Sequence, residues 1–289
     1  MRIGALVPNS GRWPLELGIP AMARSLETAG FESLWVSDHI VLPETIESNY
    51  PFAADGKATW PTNTPYIDAL IALALISGAT ERAAIGTAVL VLPLRHPVVF
   101  AKQAASIDVA SGGRLKLGVG AGWLREEFEA LEVPFEGRGG RLVEWMQIAR
   151  DCWTGRPPAR ATERYTLPEG VLVLPTPAHA IPFLVGGHSP TALKRAGRKA
   201  EGWLAQQSLS ELDPDALAAA LAVIRAAAEE AGRDPATLEV VLRLVDSAGR
   251  ADEIAAALPA LTAAGVHEIV VNVDWEAENA AAELARMRA

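Results

Sequence analysis

Eight short apolar runs punctuate this chain, at 3–7, 33–36, 84–88, 115–119, 182–185, 201–205, 238–245 and 268–273, and a stretch with helical spacing follows each. Runs that are apolar throughout, rather than alternating, suit strands covered on both faces, as in a parallel sheet. Regular strand–helix alternation leaves two architectures, a closed (β/α)8 TIM barrel or a doubly wound open sheet. The open sheet calls for a glycine fingerprint after the first strand. Pro8-Asn9-Ser10-Gly11 does not supply one, so an α/β barrel is the expected fold. The chain has 289 residues and no linker-like shift in composition, and it reads as a single barrel domain over 1–289.

Helices are expected at 17–29, 66–78, 98–110, 125–131, 141–153, 213–231, 252–264 and 276–288, with a further one running to 198. Gly30 is a natural C-cap, and Asp213-Pro214 an N-cap followed by proline at the first helical position. Two segments interrupt the alternation. The stretch 43–65, after the second strand, is too long for a simple connector and reads as a functional loop or lid. The stretch 164–174 reads as a small hairpin before the fifth strand, turning near Pro168-Glu169-Gly170.

Several classes of function lose support. A formal net charge of −9 without a basic stripe argues against a nucleic-acid partner. No apolar run approaches the roughly 18 residues that span a membrane, and the N-terminus reads as a strand rather than a signal peptide, so a cytoplasmic protein is expected. Cys152 is the single cysteine and reads as a small apolar residue in a helix. No metal site is expected, because the histidines and carboxylates are not spaced as a ligand set. Gly-x-Ser-x-Gly, Walker and His-Glu-x-x-His motifs are absent. Lys116 and Lys194 sit poorly for the Schiff base of a barrel aldolase.

The residues that could carry chemistry gather at strand ends. In a barrel the C-terminal ends of the strands form the active face. The run Ser33-Leu34-Trp35-Val36 enters Ser37-Asp38-His39, which gives an acceptor and a group titrating near neutral pH, or simply a satisfied pair. Gly118-Val119-Gly120-Ala121-Gly122-Trp123 follows the fourth strand. Its alternate glycines allow close backbone approach to a flat ligand or phosphate, or serve a tightly packed rim. Gly186-Gly187-His188-Ser189-Pro190 lies between a strand and a helix start. It suits phosphate, or is an ordinary capped turn. Trp13, Trp60, Tyr66, Trp123 and Trp203 fall near strand ends or in the long loop. They would wall a pocket for a ring system, or merely pack.

Together these stretches resemble the bacterial luciferase-like superfamily of flavin- and deazaflavin-dependent barrels. The match runs through residues 30–39, 85–90 and 112–123, Glu126-Glu127-Phe128, and the Gly-Gly-His-Ser-Pro turn with Glu201-Gly202-Trp203. Residues 50–57 and 123–128 are most similar to the branch that uses coenzyme F420, a deazaflavin, with FMN as the alternative cofactor. The resemblance implies a ring lying over the end of the third strand, on a bulge with a non-proline cis peptide, matched here by Ala88-Val89. It implies that Asp38 contacts the ring's polar edge and that His39, held by Asp38 or a nearby group, gives or takes a proton. Ala121 and Gly122 would offer backbone contacts, and Gly186, Gly187 and Ser189 would hold the phosphate. Trp60, Trp123 and Trp203 would line the substrate pocket, with Tyr50 and Phe52 in the loop above it. A sugar-phosphate dehydrogenase of this group has a glutamate where this chain has Trp123, which turns the expectation toward a less polar small-molecule substrate. The implied activity is hydride transfer between F420 and a small organic substrate, in a homodimer. The alternatives are an FMN-dependent monooxygenase and a cofactor-binding protein without turnover.

Overall fold

The computed structural model of the chain describes residues 1–51, 55–58, 60–276 and 279–289. Phe52 lies outside the described residues. β1 (Arg2–Leu6) is followed by a short α1 (Trp13–Glu16) and by α2 (Ile19–Ala29), which Gly30 ends at φ 101°. Then come β2 (Ser33–Val36), α3 (Ala69–Ala79), β3 (Ala84–Val91), α4 (Pro97–Ser111), β4 (Leu115–Gly120), α5 (Arg125–Ala130) and α6 (Arg138–Trp153). A small antiparallel pair, β5 (Arg160–Ala161) and β6 (Thr166–Leu167), precedes β7 (Phe183–Gly186) and α7 (Pro190–Lys199). β8 (Gly202–Ser208), α8 (Pro214–Glu230), β9 (Glu239–Val245), α9 (Ala251–Ala263), β10 (Glu268–Val271) and α10 (Ala280–Arg288) complete the order.

The parallel strands close in the order β1-β10-β9-β8-β7-β4-β3-β2, the expected TIM barrel. The differences from the sequence reading are local. The first predicted helix, 17–29, begins at Ile19, after Gly18 at φ 78°, and the short α1 before it was not expected. The third strand runs on past Ala88 to Val91, because a bulge between Thr87 and Leu90 lets it resume pairing with β4. The hairpin forms earlier than expected. Thr162 donates its N–H to Tyr165 O at 3.0 Å and makes the turn, leaving Pro168-Glu169-Gly170 outside the pair.

Each barrel strand points alternate side chains to its two faces. Ile3, Leu34, Ile85, Leu117, Val185, Trp203, Leu242 and Ile269 face the helices and join the large outer core. Leu6, Trp35, Ala88, Leu184, Leu204, Val241 and Val270 form a separate cluster inside the barrel. Below that cluster lies a charged layer. Glu268 is fully buried and accepts from Ser33 Oγ at 2.5 Å, Trp35 Nε1 at 3.0 Å, Arg2 Nε at 3.0 Å and Lys116 Nζ at 3.3 Å. Lys116 also pairs with Glu239 at 2.7 Å, and Arg2 reaches the same carboxylate. Every acceptor in this layer has a cation or hydroxyl, which a buried carboxylate requires.

Trp35 fills the middle of the barrel, and glycine makes the room. A Cβ on Gly86 would stand 2.6 Å from the Trp35 ring and 2.9 Å from Lys116 O. The substitution Gly86→Ala is therefore expected to destabilise the fold by about 1–3 kcal/mol, the ordinary range for overpacking a filled core. Urea unfolding followed by tryptophan fluorescence measures it. An unchanged midpoint would mean that Trp35 can shift without cost.

Candidate functional site

At the C-terminal ends of the strands the barrel opens into a cavity of about 1260 Å³. Its floor is the β3 bulge. The Ala88–Val89 peptide bond is cis, at the position the resemblance implied, and both residues line the cavity. A Cβ on Gly120 would lie 2.8 Å from Val89 Cγ2, and one on Gly186 would lie 2.9 Å from Val89 Cγ1. These two glycines, at the ends of β4 and of β7 beyond it, make room for Val89. The sequence left both glycines open to a ligand or to close packing, and here their space is used by the protein's own side chain. Gly122, at φ 86°, has a different constraint: a Cβ there would meet the Phe128 ring at 2.7 Å.

Asp38 lies under the bulge. Its carboxylate accepts from Val91 N at 2.9 Å and from Arg95 Nη2 at 2.6 Å, while Arg95 Nη1 binds Asp68 at 2.9 Å. Burial pushes the Asp38 carboxyl up, and Arg95 and the Val91 amide pull it back. Both of its oxygens are thus engaged in fixing the end of β3. The contact with a ring edge expected from the resemblance would be a second task for this group.

Of the two options the sequence left for holding His39, Asp38 or a nearby group, the structure has the second, Glu127. His39 Nδ1 lies 3.1 Å from Glu127 Oε2, and Glu127 Oε1 accepts from Ile40 N at 2.5 Å and Val41 N at 3.2 Å. The Glu127 side chain is 2% exposed and the His39 side chain 11%. A carboxylate that already accepts two amides is best served by a proton on Nδ1, which leaves Nε2 as the acceptor nitrogen of the ring. The adjacent Glu126 binds the long loop, accepting from Glu47 N at 2.6 Å, Ser48 N at 2.9 Å and Ser48 Oγ at 2.5 Å. Burial would raise the Glu126 carboxyl, but these donors hold it below its usual range. The start of α5 thus ties down both the histidine and the loop.

Aromatic rings enclose His39. Tyr66, Trp123 and Trp60 have centroids 5.6, 6.1 and 6.2 Å from its ring. Tyr50 stands 5.0 Å from Trp123 and 5.1 Å from Trp60. Tyr66 OH meets Ser37 Oγ at 2.6 Å, and Asn9 clamps Ser37 N and O at 3.1 and 2.8 Å. Trp203 is the exception among the predicted pocket residues. It is 1% exposed and lies in the outer core, because Gly202 and Leu204 take the inward positions on β8. Its indole donates to Gly187 O at 3.0 Å, so it supports the glycine turn from behind.

At the far side of the cavity, Ser189 caps α7 by accepting from Ala192 N at 3.2 Å, and Gly187 takes φ 111°. Gly186, Gly187, Ser189, Ala121 and Gly122 all line the cavity. So do Arg138 and Arg195, which the sequence reading missed. Arg138 Nε donates to Gly122 O at 2.9 Å, and among the described residues neither arginine forms an ion pair. Burial lowers the pKa of each; Arg125 adds to the effect at Arg138, and Arg138 adds to it at Arg195. Glu136 opposes the effect at Arg138 but forms no ion pair with it, and cations without such a partner beside a helix N-terminus favour an anion there. Arg243, on β9, is a third omission. It lines the cavity, donates from Nη1 to Ala88 O at 2.7 Å, and has a buried Nε without a partner. Among the described residues no group of three or more His, Cys, Asp or Glu could hold a metal ion, and no helix is long and apolar enough to cross a membrane.

Comparison with known proteins gives this site its context. A model of the luciferase-like monooxygenase family matches residues 18–288. An uncharacterized protein of Mycobacterium tuberculosis is 36% identical over 212 residues, which cover 73% of this chain and 72% of that protein. From the same organism, a protein named F420-dependent hydroxymycolic acid dehydrogenase is 32% identical over 221 residues, covering 75% of this chain and 55% of that protein. Among solved structures, an F420-dependent secondary alcohol dehydrogenase in complex with an F420–acetone adduct superposes with a TM-score of 0.74 at 19% identity, over 94% of this chain and 93% of that one, a likeness of fold. A family model spanning nearly the whole chain, together with a relative of this identity and coverage, makes the chain a member of the luciferase-like monooxygenase family.

Proposed function

We propose that this protein is an oxidoreductase that transfers a hydride between coenzyme F420 and a small organic substrate, with His39 giving or taking the accompanying proton. One observation carries the proposal: a histidine oriented by a buried glutamate, enclosed by Tyr66, Trp60 and Trp123, in the cavity whose floor is the Ala88–Val89 bulge. The relative named as an F420-dependent dehydrogenase supports the choice of cofactor. The residues present fit such a group. The bulge and the aromatic walls offer a flat apolar slot, and Arg138, Arg195 and the Ser189-capped helix offer a phosphate site.

The bound deazaflavin would supply the hydride chemistry. The chain does the rest. Asp38 and Arg95 lock the end of β3, with Ala88 and Val89 presenting the floor. Gly187, Ser189, Arg138 and Arg195 hold the anionic end of the cofactor, and Ala121 and Gly122 offer backbone contacts. His39 Nε2 exchanges the proton while Glu127 keeps Nδ1 protonated. Trp60 and Trp123 exclude water and favour an apolar substrate. A cytoplasmic homodimer belongs to the same reading. Ile71 and Leu75 leave an apolar stripe exposed on α3, which a second copy could cover.

His39→Ala is expected to lower kcat by about 100- to 10,000-fold, the usual range for general acid–base help. Cofactor affinity should stay within a few-fold of the parent protein. Full turnover in the variant would remove the proton role.

Glu127→Gln should lower kcat by a smaller factor and shift the pH profile of kcat, because Gln accepts from the same amides without the charge that orients the imidazole. An unchanged profile would make Glu127 a loop anchor alone.

FMN is the alternative cofactor, and the paired arginines suit its phosphate as well. Titrating the protein with each cofactor and following tryptophan quenching separates the two, since Trp60 and Trp123 line the cavity. Quenching is expected at lower concentration with F420, and a clear preference for FMN would move the protein to the monooxygenase reading.

A further inference from the structure

Arg243 is a buried cation that, among the described residues, has no carboxylate partner. It rises from β9 in the inward-facing series with Val241, opposite Gln206 of β8, and lies in the cavity. Its Nη1 is tied to Ala88 O at 2.7 Å, which fixes the guanidinium plane against the β3 bulge. Its Nε is buried without a hydrogen bond. Among the described residues it forms no ion pair, although ion pairs are plentiful elsewhere in the chain. The buried carboxylates nearby are already engaged, Asp38 by Arg95 and Glu127 by His39 and two amides. Burial lowers the Arg243 pKa, with Tyr66 and Tyr50 acting in the opposite sense. A guanidinium nonetheless stays charged in a protein, and an isolated buried charge is costly until a partner of opposite sign arrives.

Arg243 could serve as scaffold, holding the Ala88 carbonyl. A neutral amide would do that without burying a charge. The charge itself points outward from the protein's own bonding. We infer that Arg243 is an anion-recognition residue at the deep end of the cavity, and that it takes a planar, delocalised oxyanion. Two sources have this chemistry. One is the pyrimidinedione edge of a reduced deazaflavin or flavin, after loss of its ring N–H proton. The other is a carboxylate on the substrate. Both present acceptors in one plane, which the fixed fork of a guanidinium matches better than an ammonium does. The first source rests on the proposed function, and the second does not.

The test compares the parent protein with Arg243→Gln and Arg243→Lys, each first checked for an unchanged thermal midpoint. In one arm, protein free of cofactor is titrated with benzoate by calorimetry. In the other, reduced F420 is bound and its ring ionisation is followed by absorbance against pH. If the substrate supplies the anion, benzoate affinity falls about tenfold or more in Arg243→Gln, the size of one charge-assisted hydrogen bond, and returns in part with lysine. If the cofactor supplies it, the parent keeps the bound ring anionic to a pH at least about one unit lower than Arg243→Gln does, again about tenfold. Either result supports the inference. If the variants match the parent in both arms, or the parent binds neither probe, Arg243 is not an anion site. Failure of F420 alone to bind the parent sinks the proposed cofactor but leaves the benzoate arm to decide the role of Arg243. A variant with a lowered thermal midpoint is replaced by Arg243→Met, which keeps the stem and removes the charge.

Discussion

The interior of the barrel has a fixed width, and everything at the site is stacked on how that width is filled. At the base, Glu268 gathers Ser33, Trp35, Arg2 and Lys116 into a layer of paired charge. The indole N–H of Trp35 belongs to that layer, and its ring belongs to the apolar layer above, so one side chain joins the two. Glycines on neighbouring strands yield the space. The next level is the bulge, where Val89 takes the space that Gly120 and Gly186 leave. Only above this filled column does the cavity begin. The position of the floor is therefore set by packing from below, and the cavity inherits it.

Much of this was legible in the chain itself. The apolar runs located all the barrel strands, because parallel strands buried on both faces need no alternation to be recognised. The polar triplet after β2 and the glycine turn before α7 marked two sides of the rim, because strand ends in a barrel must converge there. The glycines were the subtler case. Their presence signalled close approach correctly, but sequence cannot say whether the approaching atom is a ligand's or a valine's. Trp203 fell to phase: two residues into a strand, inward and outward positions differ by one step, and the predicted strand was too short to fix which was which. Glu127, Arg138, Arg195 and Arg243 were out of reach for another reason. Glu127 meets His39 across 88 positions of sequence, and Arg243 meets Ala88 across 155. Such partners become visible only when the sheet closes. The Glu-Glu-Phe signature did contain Glu127, and the missing inference was that two adjacent carboxylates at a helix start can grip two different parts of a loop.

The cavity has an uneven charge plan. Asp38 and Glu127 are engaged by protein partners, whereas among the described residues Arg138, Arg195 and Arg243 form no ion pair. The cations lie at the α6–α7 side and at the deep end, and the aromatic cluster lies between the loop and His39. A molecule complementary to this surface is anionic at its ends and flat and apolar in its middle. That description follows from the residues alone, and it leaves the aromatic side of the cavity, around Trp60 and Trp123, without a charge to match.

The paired charges at the base of the barrel have a consequence for traffic. Arg2, Lys116, Glu239 and Glu268 close the lower end, and Trp35 closes the middle, so the barrel is not a conduit. Among the described residues the cavity is lined from the C-terminal ends of the strands, with the loop anchored by Glu126 and the start of α7 on its rim. A buried glutamate at one end of the barrel thus leaves the other end as the side from which the cavity is reached.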